Sequence, residues 1–233
     1  FDDADFDRAL DGSLVNIFSN SGQICIAGSR ILVQRGIAEA FIEAFVARTQ
    51  ALRVGDPLDP RTEVGPMAFE AHYRRVLEHI ERANSEGAQL LCGGGARPDL
   101  GEGYFIAPTV FQVTDNQLSL CQEEVFGPVV SIQVFDNDDD ALEVANDSRF
   151  GLVGYCWTSS LARAQAFQRR VEAGTLWINT PLARDLRAPF GGFKESGIGR
   201  DGPRQAAEFF TEEKANIQAI GEPPIRKLGQ PKD

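Results

Sequence analysis

An α/β fold with a mostly parallel sheet flanked by helices is predicted by three features of this 233-residue sequence. Short β-branched runs alternate with amphipathic patterns of helical length. Gly/Pro-rich punctuation falls between them rather than inside them. The composition, 42% hydrophobic and 24% charged, is that of an ordinary globular chain. A chain of this size buries about 70% of its unfolded surface, so its core needs neither metal nor disulfide to close.

Residues 6–19 place apolar positions at helical spacing and run into the loop SNSGQ. Arg30-Ile31-Leu32-Val33-Gln34 is a short β-branched run, hence a strand, and Gly36 breaks it. Ile37, Ala40, Phe41, Ala44 and Phe45 then recur at the spacing of one helix face. Val54 to Pro60 is a turn-rich loop. A second helix spans about 68–86, with Phe69, Val76, Leu77, Ile80 and Ala83 on one face.

A strand at Gln89–Cys92 ends at Gly93-Gly94-Gly95, and residues 101–108 form another loop. VVSIQVF (129–135) is a strand, and Asp136-Asn137-Asp138 offers N-caps to a helix at 139–147. Val153–Thr158 is a strand, and Ser159 or Ser160 caps the helix bearing Ala164, Phe167 and Val171. Thr175–Asn179 is a further strand, followed by a helix at 202–210. Lys214–Ile220 alternates like a strand outside the main pattern, a type that often pairs with another subunit. The tail GEPPIRKLGQPKD is Pro/Gly-rich and expected to be loosely held.

The net charge of −11, without a segregated basic run, argues against nucleic acid as a partner. No apolar run has the length of a membrane span, and no secretory signal pattern is visible. Cys25, Cys92, Cys121 and Cys156 lie far apart without C-x-x-C spacing, so neither a zinc site nor a disulfide framework is indicated. A reducing, cytoplasmic setting is the expectation. The chain does not open on methionine, its sole Met is Met67, and Phe1-Asp2-Asp3 reads as the exit from a strand. The expectation is a chain that starts inside a larger protein.

Three segments carry candidate chemistry. In SNSGQICIAGSR (19–30), Cys25 stands among small residues that leave room for a substrate and for backbone N–H groups to approach an oxyanion. Its partner is not obvious: the only histidines, His72 and His79, share one face of a helix, and no papain-like spacing occurs. On chemistry alone, Cys25 as a packing residue is the better reading. In CQEEVFGP (121–128), adjacent carboxylates point in different directions, which excludes a glycosidase pair. One Glu before Phe-Gly-Pro can place a carboxylate and a ring on a tight turn; a solvated acidic loop is the plain alternative. PFGGFKESGIGR (189–200) matches neither a P-loop nor a strand-borne G-x-G-x-x-G, so close backbone packing explains its glycines.

Taken together, SNSGQICIAGSR, EEVFGPVVSIQVF and PFGGFKESGIGR, with APTVF, GLVGYCWT and GTLWIN between them, closely resemble the aldehyde dehydrogenase superfamily across residues 1–220. The resemblance implies that Cys25 is the nucleophile, attacking an aldehyde to give a thiohemiacetal and then, after hydride transfer to a nicotinamide, a thioester. The Cys25 N–H would be one oxyanion donor. Glu124 would hold the nicotinamide ribose and Phe126 lie beside it. By the same resemblance, residues 1–205 form a catalytic domain, and 206–233 hold the end of the last helix, an oligomerisation strand and a tail. The cofactor domain, the general base and the side-chain oxyanion donor would lie upstream, absent from these residues. That missing domain would decide between NAD and NADP, and the isolated chain is expected to be inactive.

RDLRxPFGG is similar to semialdehyde dehydrogenases of aromatic ring cleavage, which implies substrate contacts from Arg184, Arg187 and Phe190. A guanidinium there suits a substrate carboxylate; a surface ion pair with Asp185 is the alternative. The implied partners are a small aldehyde and further copies of the chain joined through the C-terminal strand. Two other readings use the same residues: a non-catalytic module serving oligomerisation, and a cysteine thioesterase or acyl transferase lacking its histidine partner.

Overall fold

The side chain of Asp5 accepts the Arg8 N–H and starts α1 (Phe6–Phe18), whose Leu10, Leu14, Ile17 and Phe18 are buried. In the computed structural model, which describes residues 1–229, a 3-10 turn at Ser19–Gly22 follows α1 and leads through a loop into β1 (Arg30–Gln34). The strand passes directly into α2 (Arg35–Gln50), so Gly36 lies in a first helical turn rather than in a break. Ala38, Phe41 and Phe45 form its inward stripe; Ala40 faces solvent.

Beyond a long loop comes α3 (Glu70–Ser85), which buries His72, Val76, His79, Ile80 and Ala83 and leaves Phe69 exposed at its N-cap. Two strands, β2 (Gln89–Cys92) and β3 (Thr109–Val113), precede a single helical turn, α4 (Ser119–Gln122), and the long strand β4 (Val129–Phe135). The Asn137 side chain accepts the N–H groups of Asp139 and Asp140 and caps α5 (Asp138–Asn146). Next are β5 (Phe150–Gly151), β6 (Val153–Cys156), and α6 (Leu161–Arg170), capped by Ser160. The last elements are β7 (Thr175–Ile178), β8 (Phe193–Lys194) and α7 (Pro203–Phe210).

Strand order in the main sheet is β1-β4-β3-β2. The β1/β4 and β4/β3 ladders are parallel, and β2 closes the edge antiparallel, with an irregular register between Leu90 and Cys92. A separate pair, β6/β7, is parallel, and β5/β8 is antiparallel. The α/β class with mostly parallel pairing therefore holds, the antiparallel ladders being those of β2 with β3 and of β5 with β8.

The continuous apolar run of β4 follows from burial on both faces. Val130 and Ile132 join Phe18, Phe41 and Phe45 under α1 and α2. Val129, with Phe111 and Val113 of β3, packs beneath α3 against Val76 and Ile80. A third cluster centres on Leu142, Cys156 and Phe167. β1 and β6 are edge strands of their sheets and face each other across an apolar cavity of about 330 Å3.

The strand expected at Lys214–Ile220 does not form: these residues have no ladder and are exposed. A strand needs a neighbour to take its N–H and C=O groups, and among the described residues none pairs with them. The tail is described only to residue 229; its last four positions lie outside the described residues. Among the described residues no helix is long and apolar enough to cross a membrane.

Candidate active site

Cys25 sits at the second position of a turn closed by the Ala27 N–H on the Ile24 carbonyl at 2.9 Å. The approach to that turn is unusual. Asn20, Ser21 and Gly22 are successively left-handed, with φ of 51°, 57° and 72°, a conformation that costs a non-glycine residue roughly 1–2 kcal/mol. Side-chain bonds hold it. Asn20 Nδ2 donates to the Gln23 carbonyl at 3.0 Å, and buried Ser21 Oγ donates to the Gly65 carbonyl at 3.0 Å. Gln23 Oε1 accepts the Ala68 N–H at 2.9 Å. Gly22 has a second constraint: a Cβ there would lie 2.1 Å from the Gly127 carbonyl oxygen. Only glycine lets the cysteine loop touch the acidic turn.

On the far side, the Tyr155 hydroxyl donates to the Ile26 carbonyl at 3.0 Å, and its ring stacks on Trp177 at 5.0 Å. Burial, with a smaller contribution from the neighbouring Cys25 sulfur, pushes the Tyr155 phenol above its ordinary range, so it stays a neutral donor. The Gly28 N–H is tied to the Asn16 carbonyl of α1 at 3.1 Å. Cys25 itself is exposed, and its N–H finds no acceptor among the described residues. The other three cysteines are buried and free.

The acidic turn separates its two carboxylates. Glu123 is held in an ion pair by Arg82 and lies 4.0 Å from His79 Nδ1. Glu124 is exposed, without an ion-pair partner among the described residues. Phe126 is half-buried with φ of 56°. Cys25, Glu124 and Phe126 line one cleft of about 440 Å3, and Glu195 and Ser196 contribute to the same lining. The cysteine loop, the acidic turn and the glycine segment, far apart in sequence, thus converge on one cavity. Neither histidine belongs to it.

The residues expected to touch substrate lie elsewhere. Arg187 makes a two-point ion pair with Asp185, Nη2 to Oδ2 at 2.6 Å and Nε to Oδ1 at 2.9 Å, which raises the one and lowers the other from their ordinary pKa. Arg184 rests over the Phe190 ring at 5.3 Å from its centroid. None of Arg184, Arg187 and Phe190 lines the Cys25 cleft. The glycines of PFGGF serve close packing: a Cβ on Gly191 would fall 2.6 Å from the Gly199 carbonyl oxygen, and one on Gly192 2.5 Å from the Ser196 Cβ. Sequence reasoning missed Tyr155, whose signal was only an aromatic in a strand, and Ser196, whose Oγ accepts the Gly151 N–H at 2.9 Å.

An exposed thiol on a strained, pinned loop, sharing a cleft with a free carboxylate and a ring in an α/β fold, defines a thiol-nucleophile site with room for a second ligand. The chain belongs to the aldehyde dehydrogenase family, whose model matches residues 1–216. It is 43% identical over 222 residues to a betaine aldehyde dehydrogenase of Rhizobium leguminosarum, covering 95% of this chain and 46% of that protein. Among solved structures it is similar to HpcC from Thermus thermophilus, at 40% identity and a TM-score of 0.88, covering 94% of this chain and 45% of that one. It is also similar to an aldehyde dehydrogenase of Mycobacterium tuberculosis complexed with NAD+, at 38% identity and a TM-score of 0.89, covering 95% and 46%. The chain therefore spans about half the length of the relatives it matches.

Proposed function

We propose that this chain supplies the nucleophile half of an NAD-dependent aldehyde dehydrogenase acting in the cytoplasm. The observation that carries the reading is the cleft shared by Cys25, Glu124 and Phe126. The Cys25 sulfur attacks the aldehyde carbon, and the unpaired Cys25 N–H is available to the oxygen that becomes charged. Loss of hydride from the thiohemiacetal leaves a thioester on Cys25, which water hydrolyses to the acid. The bound nicotinamide supplies the hydride acceptor. The fit of this chain to that group rests on Glu124: a free carboxylate beside a half-buried ring suits a ribose diol. NAD rather than NADP is supported by the NAD+ complex of the tuberculosis relative. Residues 1–205 are read as the catalytic domain, with the dinucleotide phosphates and general base held by residues outside this chain. The absence of an imidazole from the cleft disfavours a thioesterase.

The proposed substrate is a semialdehyde bearing a carboxylate. Arg184 supports it: although it lies outside the lining of the Cys25 cleft, it is a guanidinium without an ion-pair partner among the described residues, held over an aromatic ring and free to meet the far, charged end of such a substrate. Arg187 is already committed to Asp185. A second reading, a cationic aldehyde, is favoured by the name of the Rhizobium relative. The two differ in the sign of the substrate charge, which makes them separable. In the full-length protein, Cys25→Ala is expected to abolish NAD-dependent oxidation, and Arg184→Ala to reduce kcat/KM on an anionic semialdehyde at least tenfold more than on betaine aldehyde. Retained turnover in Cys25→Ala would sink the mechanism. Equal losses on both aldehydes would discard the carboxylate contact.

A further inference from the structure

We propose that His72, oriented by Arg75, is a positioning residue that holds the Glu124–Phe126 turn in its working shape. The inference rests on the reading of that turn as the ribose contact. A left-handed phenylalanine is strained by roughly 1–3 kcal/mol and persists only where its surroundings fix it. The surroundings here are one stripe of α3. His72 Nε2 lies 2.7 Å from the Phe126 carbonyl oxygen, and Arg75 Nη2 lies 3.0 Å from His72 Nδ1. A guanidinium only donates, so Nδ1 accepts and Nε2 carries the hydrogen given to Phe126. The tautomer is thereby set by Arg75.

One turn further along α3, Val76 closes on Gly127, where a Cβ would come within 2.9 Å of Cγ2. Two turns further, Arg82 withdraws Glu123 into an ion pair. The helix thus holds the carbonyl of Phe126, the Cα of Gly127 and the carboxylate of Glu123. Glu124 and the Phe126 ring are what remain for the cleft. His72 is buried and packs beside Phe126, with ring centroids 6.0 Å apart. It lines the neighbouring groove together with Ser21 and Gln23 of the cysteine loop. It does not line the Cys25 cleft, and its hydrogen bond to the acidic turn is the contact through which it acts.

The test compares His72→Leu, which removes the donor, with His72→Gln, whose Nε2 amide restores one at a similar reach. Measured in the full-length protein, His72→Leu is expected to raise KM for NAD five- to twentyfold. KM for the aldehyde and the Cys25 alkylation rate should stay within twofold. His72→Gln should return KM for NAD to within about threefold of the parent. Loss of stability with a lower apparent kcat and no selective rise in KM for NAD, unrescued by Gln, would make His72 merely structural and overturn the proposal. Glu124→Gln is run in parallel. If it raises KM for NAD and His72→Leu does not, the positioning role falls while the ribose reading stands. If His72→Leu raises it and Glu124→Gln does not, the ribose role of Glu124 falls and the turn acts through Phe126. If neither moves it, both ideas fall. Imidazole 15N shifts of this chain give an independent readout: the Nε2–H tautomer is expected for His72, and an Nδ1–H tautomer would refute the relay.

Discussion

A single sulfur is distinguished from three others by where the chain puts it. Burial raises the pKa of the Cys92 and Cys121 thiols and pushes Cys156 up to about 11, whereas Cys25 is exposed on its turn. At pH 8 a thiol of pKa near 11 is only about one part in a thousand thiolate, and a buried one is also shielded from reagent. Iodoacetamide is therefore expected to modify one equivalent of cysteine at Cys25 at least tenfold faster than any other. Cys25→Ser should remove that fast phase. Mass mapping that finds Cys92 labelled first would contradict the assignment. The neighbouring pair Glu123 and Glu124 makes the same point about placement. Identical in chemistry and adjacent in sequence, they separate because Arg82 stands over one of them.

Elements are joined here by a few charged clamps, and Arg163 on α6 is the most connected. Its Nη1 reaches Asp2 at 2.8 Å and Asp3 at 3.2 Å, and its Nε reaches Asp138 at 3.0 Å, so it ties the start of α5 to the segment before α1. Burial works against ionisation of Asp3, but the Thr158 hydroxyl and Arg163 outweigh it and leave the carboxyl below its ordinary pKa. A depressed carboxyl stabilises the fold fully above its unfolded value near about 3.9 and loses that contribution as pH falls through the folded value. Arg163→Ala is thus expected to cost roughly 1–3 kcal/mol at neutral pH. The gap between parent and variant should hold from pH 8 to 6 and narrow only below about pH 4. Urea melts that show the same gap at pH 3 as at pH 7 would exclude this clamp. Such clamps are poorly legible in sequence, because their partners stand 25 to 161 positions apart. Local signals were readable: Asn137 and Ser160 cap α5 and α6 as their side chains predict. β3 was hidden, because a five-residue strand directly after Pro108 reads as the end of a loop. β5 and β8 are two residues each and exist only through each other. The cysteine loop, the acidic turn and the glycine segment were legible as a set. The props beneath them were not, since His72 bonds to a backbone carbonyl and leaves no trace in residue type.

Across the whole molecule, the folded body ends near α7, and the chain beyond that helix is of a different kind. Phe209 and Phe210 on α7 are about 80% exposed, and Ile217 and Ile220 past its end are essentially fully exposed. Lys214–Ile220 alternates as a strand does, yet its backbone forms no ladder among the described residues. Isolated apolar side chains on a surface need no explanation, but a row of them along an unpaired backbone is a template for pairing. The net charge of −11 opposes indiscriminate clumping. A specific site, namely the sheet edge of a second copy, is the occupant we propose. Each added strand would give the arm the hydrogen bonds it lacks and bury its isoleucines. A chain ending at residue 211 is then expected to sediment as a smaller species than the 233-residue chain over the same micromolar range. Its melting temperature at low concentration should be nearly unchanged, because the arm contributes nothing to the core. An identical mass for the two chains would show that the arm holds no copies together. A large drop in melting temperature would show instead that residues 212–233 belong to the folded body, and the alternation of Lys214–Ile220 would then require an intramolecular partner.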